Sequence, residues 1–164
     1  MQVIMGYSGM GKTWVFVDCV VEVLTGGGRA LVLSDGDTDF LRKFLYSMDK
    51  SVEYCLNYCR FKTKDDVLHR IKRENPETFD AVFIDGLLLS KNREFGVHID
   101  DVLKLEEEIG KPIVVTAQLA RTHRLEHSDQ VIQVSNYDGE KYGVIKHYTY
   151  SEMRARFDKI GGNY

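Results

Sequence analysis

The chain has 164 residues, 43% of them hydrophobic, and a formal net charge of -3 at pH 7. This length and hydrophobic content predict one domain over residues 1–164 with a sizeable core. The acidic balance argues against a protein that coats nucleic acid with its whole surface, and the lack of a signal peptide or of an apolar run of about 18 residues argues against a membrane partner.

Cysteine usage indicates a reducing compartment. The three cysteines, Cys19, Cys55 and Cys59, are an odd number and lack C-x-x-C spacing. They indicate neither a disulfide framework nor a zinc site, so we interpret them as thiols of a cytoplasmic protein.

Strand and helix patterns alternate along the first half of the chain. Short apolar runs predict buried strands, and amphipathic stretches between them predict helices. The predicted elements are a strand over 2–5, a helix over 12–24 that the glycines at 26–28 end, a strand over 30–34, a helix from 38 or 39 to near 48, a strand over 52–58 and a helix over 63–74.

The second half continues this alternation and then changes character. The pattern predicts strands over 81–84, 112–117 and 131–135, and an amphipathic helix over 99–109. Residues 142–148 and 153–157 alternate in polarity instead, which is typical of antiparallel strands at one edge. The whole pattern predicts an α/β fold with a doubly wound, mostly parallel sheet, antiparallel strands at its C-terminal edge, and a ligand at the carboxyl ends of the strands.

A glycine-rich motif joins the first strand to the first helix. The sequence GYSGMGKT satisfies the pattern G-x-x-x-x-G-K-[ST] with Gly6, Tyr7, Ser8, Gly9, Met10, Gly11, Lys12 and Thr13. In this pattern the backbone N–H groups and the helix start bind phosphate, the lysine reaches the β- and γ-phosphates, and the hydroxyl ligates Mg²⁺. A tight turn that only starts a helix is the alternative interpretation.

A carboxylate follows the strand over 81–84. In FDAVFIDG, Asp85 stands where a Mg²⁺ ligand opposite Thr13 is expected, and an ordinary turn or cap is the alternative. Gly86 comes next, so the chain lacks the adjacent Asp-Glu pair with which many ATPases polarise water. A catalytic carboxylate must therefore come from another loop.

The loop after the second strand is the natural source of that carboxylate. Its sequence SDGDTDF offers Asp35, Asp37 and Asp39, which lie beside the glycine-rich motif if the second strand is near the first. A group that orients water must be a carboxylate within hydrogen-bond reach of the γ-phosphate, and Asp37 is the favoured candidate. The alternative is that these acids cap the next helix.

A glutamine follows the strand over 112–117. In IVVTAQLAR, Gln118 can donate to a γ-phosphate and accept from a neighbouring loop, so it can report which nucleotide is bound. A surface glutamine at a strand end is the alternative.

Together these motifs resemble the RecA-like group of P-loop ATPases, which includes RecA-type recombinases, RadA and KaiC proteins and DnaB-type helicases. GYSGMGKT resembles their phosphate-binding motif, AVFIDG their magnesium-binding strand, SDGDTDF the loop with their catalytic glutamate, and VVTAQLAR the segment in which a glutamine precedes a basic residue. The resemblance covers residues 2–150. It implies a RecA-like P-loop NTPase fold, ATP and Mg²⁺ as cofactors, and catalytic roles for Lys12, Asp37 and Gln118.

The resemblance extends to the later strands and to the size of the chain. HSDQVIQVSN and the strand after it resemble the group's edge strands, which implies that Lys146, or Arg154 or Arg156 in its place, reaches the nucleotide of a neighbouring subunit. A core of this length is similar to the minimal forms found among small phage and mobile-element relatives.

The resemblance also implies a DNA site. In the RecA-like group DNA binds the loops after the magnesium-binding strand and after the glutamine-bearing strand, here residues 87–96 and 119–127. These loops carry Lys91, Arg93, Arg121 and Arg124, which suit contact with phosphates. Ordinary solvated loop charges are the alternative.

One function and two alternatives follow. The resemblance implies ATP hydrolysis coupled to single-stranded DNA in recombination, repair or replication, by a homo-oligomeric ring or filament that works with a protein partner. A nucleoside or nucleotide kinase would use the same motif and strand order. An ATP-dependent adaptor or helicase loader with weak hydrolysis is the second alternative, and the short side chain of Asp37, where the group usually has a glutamate, favours it.

Overall fold

Strands and helices alternate in the computed structural model, which describes residues 1–6, 11–34, 44, 56–60, 64–87, 89–90, 97–117, 131–138, 142–149, 151–152 and 155. The described strands are β1 (Gln2–Met5), β2 (Ala30–Ser34), β3 (Leu56–Arg60), β4 (Ala81–Leu87), β5 (Leu89–Ser90), β6 (Val97–His98), β7 (Ile113–Ala117), β8 (Val131–Tyr137) and β9 (Tyr142–Thr149). The described helices are α1 (Lys12–Thr25), α2 (Lys64–Arg73), α3 (Ile99–Ile109) and a short 3-10 helix at Pro76–Thr78.

Seven of these strands form one mixed sheet in the order β3-β2-β4-β7-β1-β8-β9. The first five are parallel to one another, β8 is antiparallel to β1, and β9 is antiparallel to β8. β5 and β6 make a separate parallel pair. The predicted α/β class, with a mostly parallel sheet and antiparallel strands at one edge, is confirmed. The single-domain organisation stays a prediction.

Helices cover both faces of the sheet. α1 packs on one face, where the ring of Phe16 meets the ring of Phe83 edge to face, with centroids 5.8 Å apart. On the other face, Val67 of α2 and Val102 of α3 are buried in one cluster with residues of β2, β4 and β7. The central strands are therefore buried on both sides, which is why β2 and β7 are mostly apolar instead of alternating between apolar and polar residues.

Most predicted elements have the expected place, with differences at their ends. β1, β2 and α3 have the predicted bounds, and α1 extends one residue beyond its predicted end. β3 continues through Arg60, so the predicted end at 58 is wrong. Within the described ranges, β3 is the last strand of the sheet on its side, and an edge strand tolerates polar side chains that a buried strand does not. Residues 52–55 lie outside the described part of the chain.

The strand predicted over 153–157 is wrong at Ala155, its single described residue, because Ala155 is helical. Thr149 and Glu152 explain the change from strand to helix. The Glu152 backbone N–H donates to Thr149 Oγ1 at 3.2 Å, and the Thr149 backbone N–H donates to Glu152 Oε2 at 2.7 Å. This reciprocal pair is a capping box, which begins a helical turn directly after β9.

One predicted helix falls in a segment that is described only in part. The helix predicted from 38 or 39 to near 48 lies outside the described residues except for Phe44, which is helical and buried.

In the described part of the chain, no helix is long and apolar enough to cross a membrane.

Candidate nucleotide-binding site

Three polar side chains lie in a row at the carboxyl ends of neighbouring strands. Ser34 of β2 is paired in register with Asp85 of β4, and Thr116 of β7 contacts Asp85 from the other side. In each of these strands the residue two positions earlier belongs to the core on the α1 face. Because side chains alternate along a strand, the polar row faces α1 as well.

α1 begins at this same edge of the sheet. Gly11 precedes the helix with φ 95°, in the left-handed region that glycine adopts without strain, and its carbonyl accepts from the N–H groups of Trp14 and Val15. Within the described residues, no side chain caps the first turn. The helix start therefore presents backbone N–H groups and the positive end of its dipole, which favour an anionic ligand.

Lys12, the first residue of α1, lies close enough to Asp85 for their charges to interact. Burial lowers the pKa of Lys12 below its usual value, and the Asp85 carboxylate acts in the opposite direction with a smaller effect. A Cβ added at Gly6 would lie 3.5 Å from Cγ of Lys12 and 3.2 Å from Cγ1 of Ile132. The backbone at Gly6 is thus in close contact with the lysine stem and with β8.

Asp85 is held by a hydrogen-bonded chain from β7. The Thr116 hydroxyl donates to Asp85 Oδ1 at 2.5 Å, and the Gly86 backbone N–H donates to Thr116 Oγ1 at 2.9 Å. The register between β4 and β7 shifts between Ile84 and Leu87, which marks a β-bulge, and Gly86 has φ 86° there. The sequence predicts a strand over 81–84 that ends at Asp85. This end is wrong, because β4 continues past Asp85 to Leu87.

The oxygen atoms at this edge fit Mg²⁺. This ion prefers oxygen ligands and is commonly held by one or two carboxylates together with phosphates. Asp85 offers a carboxylate and Thr13 a hydroxyl, and the described residues contain no group of three or more His, Cys, Asp or Glu side chains that could enclose a metal. The buried Ser34 hydroxyl beside Asp85 has no hydrogen-bond partner among the described residues, which leaves a polar atom for a water of hydration. The site therefore suits an ion shared with phosphates.

The structure describes only part of the predicted site. Gly6 follows β1, Gly11, Lys12 and Thr13 lie at the start of α1, and Asp85 lies on β4, all at the carboxyl edge of the sheet, whereas Lys146 lies on β9. The predicted residues outside the described part of the chain are Tyr7, Ser8, Gly9, Met10, Asp37, Gln118, Lys91, Arg93, Arg121, Arg124, Arg154 and Arg156. β2 is separated from β1 by β4 and β7, so the loop with Asp37 begins next to Asp85 and not next to β1.

Sequence reasoning missed Thr116 and Ser34. Each is the polar member of an otherwise apolar five-residue strand, β7 or β2. A single polar residue near the carboxyl end of a strand that is buried on both faces was the available signal, because such a group needs a partner or a ligand.

Glycine at 86 is expected to matter for both stability and metal binding. Gly86→Ala should lower the free energy of unfolding by about 1–2 kcal/mol, because a Cβ is strained at positive φ. It should also weaken Mg²⁺-dependent nucleotide binding, since the Gly86 N–H and Asp85 share Thr116.

The matched control is Gly110→Ala, at the C-terminal end of α3. Gly110 has φ 63° and nothing within 4 Å of an added Cβ, so the same strain arises far from Asp85. Urea unfolding and nucleotide titration of both variants check the prediction. Equal stability losses with a binding loss in Gly86→Ala alone are expected, and equal nucleotide binding by the two variants would contradict it.

No protein-family model and no curated protein sequence matches the chain.

Proposed function

We propose that the protein is an ATP-binding and ATP-hydrolysing enzyme with a RecA-like core, which couples its nucleotide state to single-stranded DNA. The observation that carries the proposal is the approach of Lys12, at the start of α1, to Asp85 at the carboxyl edge of a mostly parallel sheet. A cation at a helix start and a nearby carboxylate are the pair of groups that a phosphate chain with Mg²⁺ requires.

Different residues of the candidate site have different roles in the proposed phosphoryl transfer. The N–H groups at the start of α1 and the Lys12 ammonium bind phosphate oxygens, and Thr13 and Asp85 hold Mg²⁺. When bound, Mg²⁺ neutralises charge on the phosphate oxygens during transfer. Asp37 orients the attacking water, and its loop leaves β2 at Ser34, which is paired with Asp85. Gln118 senses the γ-phosphate from the segment directly after β7.

Several features of the fold support the RecA-like assignment. Helices cover both faces of the parallel strands, and β8 and β9 extend the sheet as antiparallel strands beside β1. The order of motifs along the chain also agrees with that group, from the glycine-rich motif through SDGDTDF and AVFIDG to VVTAQLAR.

The adjacency of β4 and β7 supports the DNA part of the proposal. These strands are parallel neighbours, so the segments after them, which contain Lys91 and Arg93 and then Arg121 and Arg124, leave the sheet at the same edge. Segments that leave neighbouring strands at one edge begin close together, and basic residues within such segments can contact one stretch of phosphate backbone. Asp85 and the start of α1, with Lys12, lie at that edge as well.

The exposed strand β9 supports homo-oligomerisation. Val144 and Ile145 on this strand are 40% and 52% exposed, and β9 is the last strand of the sheet on its side among the described residues. An edge strand with exposed aliphatic side chains is suited to burial against a second copy. Lys146 lies on the same strand with Nζ 4.6 Å from the ring centroid of Tyr148, so such burial would carry this cation toward the neighbouring subunit.

The test is ATP hydrolysis with and without single-stranded DNA, together with light scattering in the ATP-bound, ADP-bound and nucleotide-free states. We expect DNA to stimulate hydrolysis and ATP to promote assembly. Phosphate transfer to a nucleoside or nucleotide without DNA stimulation would replace the proposal with a kinase. Tight ATP binding with negligible turnover, even with DNA, would replace it with an ATP-dependent adaptor.

A further inference from the structure

We propose that Thr116 is a positioning residue, which fixes the Asp85 carboxylate for binding of the metal–nucleotide complex. The inference rests on the proposed function, because it assigns a role to a residue that touches Asp85 and not the nucleotide. It is carried by the hydrogen-bonded chain from Gly86 through Thr116 to Asp85.

The direction of this chain is determined by its members. The Gly86 backbone N–H can only donate, so Thr116 Oγ1 accepts from it. The single hydroxyl proton of Thr116 is then available for Asp85 Oδ1, and an ionised carboxylate can only accept. Hydrogen bonds to a charged acceptor are shorter and stronger than neutral ones, which agrees with the 2.5 Å separation of Thr116 Oγ1 and Asp85 Oδ1.

The surroundings make the contact rigid. Thr116 and Asp85 are only 4% and 9% exposed, and their strands are hydrogen-bonded neighbours at the centre of the sheet. Threonine is branched at Cβ, which restricts rotation of its side chain in a strand. One carboxylate oxygen of Asp85 is thus fixed by the protein, and the orientation of the whole carboxylate is set before a metal arrives. Partners of this kind tune metal ligands, and losing one typically weakens metal binding about 10- to 100-fold.

The competing explanation is purely structural. In that view the Thr116 hydroxyl satisfies the Gly86 N–H at the bulge, and losing it would cost stability alone. The two explanations differ in the Mg²⁺ dependence of nucleotide binding, which a structural role would leave unchanged. They also differ in what Thr116→Ser does, because serine keeps the hydroxyl but loses the methyl group.

The experiment is calorimetric titration of a non-hydrolysable ATP analogue at a series of Mg²⁺ concentrations and in EDTA. For Thr116→Val, which keeps the shape and removes the hydroxyl, we expect the Mg²⁺ concentration at half-saturation to rise about 10- to 100-fold, with binding in EDTA unchanged. Thr116→Ser should stay close to wild type.

Ser135→Ala is the matched control. Ser135 is fully buried in β8 of the same sheet, and its hydroxyl has no hydrogen-bond partner within the described chain. This substitution also removes a buried hydroxyl, but it should leave the Mg²⁺ dependence unchanged.

The outcomes separate the inference from the proposed function. A Mg²⁺ dependence in Thr116→Val equal to that of wild type, or a shift no larger than in Ser135→Ala, overturns the role of Thr116 alone. Wild-type protein that shows no Mg²⁺-dependent nucleotide binding overturns both. If Thr116→Val does not fold, Thr116→Cys decides, because its weak S–H donor should give an intermediate shift. An unshifted, folded Thr116→Cys would then refute the inference.

Discussion

Lys12→Met is expected to reduce ATP hydrolysis by about 100- to 1,000-fold, the usual cost of removing one group that stabilises charge in a transition state. The same substitution should raise the thermal stability of the nucleotide-free protein. The hydrolysis loss follows from the position of the ammonium at the start of α1, where the phosphates are proposed to bind. Methionine keeps a flexible apolar side chain of similar length, so the packing of the lysine stem is largely retained.

The gain in stability follows from the pKa of Lys12. Burial lowers this pKa below 10.5 in the folded state, so the charged form is disfavoured by folding despite the attraction of Asp85. The folded protein therefore releases this proton at a lower pH than the unfolded chain does. The loss of folding stability caused by burying the charged form of Lys12 is fully present near neutral pH. It is relieved as the pH rises through the pKa of the folded state toward 10.5. The stability difference between Lys12→Met and wild type should shrink in the same direction.

The measurements are ATP turnover and thermal unfolding at neutral and alkaline pH. Lys104→Met is the matched control, because Lys104 is an exposed lysine on α3, across the sheet from α1. It should leave ATP turnover unchanged. Near-normal ATP turnover in a folded Lys12→Met variant would refute the proposal that the glycine-rich motif binds phosphate.

Asp85→Asn is expected to abolish the Mg²⁺ dependence of nucleotide binding and to lower hydrolysis by about 100-fold or more, since a metal ligand contributes several kcal/mol to the transition state. The amide oxygen of asparagine can still accept from Thr116, so the hydrogen-bonded chain survives and the loss reports the charge. Removing the carboxylate also removes the influence that raises the pKa of Lys12. The pKa of Lys12 should therefore fall further.

Asp80→Asn provides the matched control at the opposite end of the same strand. Asp80 directly precedes β4, is exposed, and is hydrogen-bonded by Arg29, whose side-chain and backbone bonds hold the Asp80 pKa below its usual value. It is therefore a hydrogen-bonded carboxylate like Asp85 but lies at the amino edge of the sheet. Mg²⁺ titrations of both variants check the prediction. Equal effects of the two substitutions, or an unchanged Mg²⁺ requirement in Asp85→Asn, would contradict the assignment of Asp85 as a metal ligand.

The elements of this fold could be predicted because their cause is local. β2 and β7 are short runs that are apolar except for Ser34 and Thr116, and only a strand that is buried on both faces tolerates so many apolar residues in succession. The strand order could not be predicted in the same way. Nothing in residues 113–117 indicates that β7 enters between β1 and β4, because that choice depends on how distant helices pack on the two faces. The condition under which the loop with Asp37 would lie beside the glycine-rich motif, that β2 is near β1, is not met, because β4 and β7 separate the two strands.

The candidate site could also be predicted only where its cause is local in sequence. The glycine-rich motif and Asp85 were visible because phosphate and Mg²⁺ require particular residue types at particular positions. The bulge at Gly86 and the contact between Thr116 and Asp85 depend on the register between β4 and β7, which neither strand specifies alone. The capping box of Thr149 and Glu152 was a missed local signal, because the alternating residues before it suggested that the strands continued.

The position of β1 in the sheet has a consequence for how the protein is made. β1 is the earliest of the strands along the chain, yet its two partners are β7 and β8, so Gln2 pairs with Val114 and with Asn136. During synthesis from the N-terminus, β1 emerges from the ribosome long before either partner exists. The glycine-rich motif after β1 cannot take its place in the fold until β7 and β8 have been synthesised. Contacts this distant in sequence form slowly, because a long loop has to close first. The proposed nucleotide binding would therefore be acquired late in folding, and we expect that a nascent chain that stops before β7 cannot use ATP to stabilise itself.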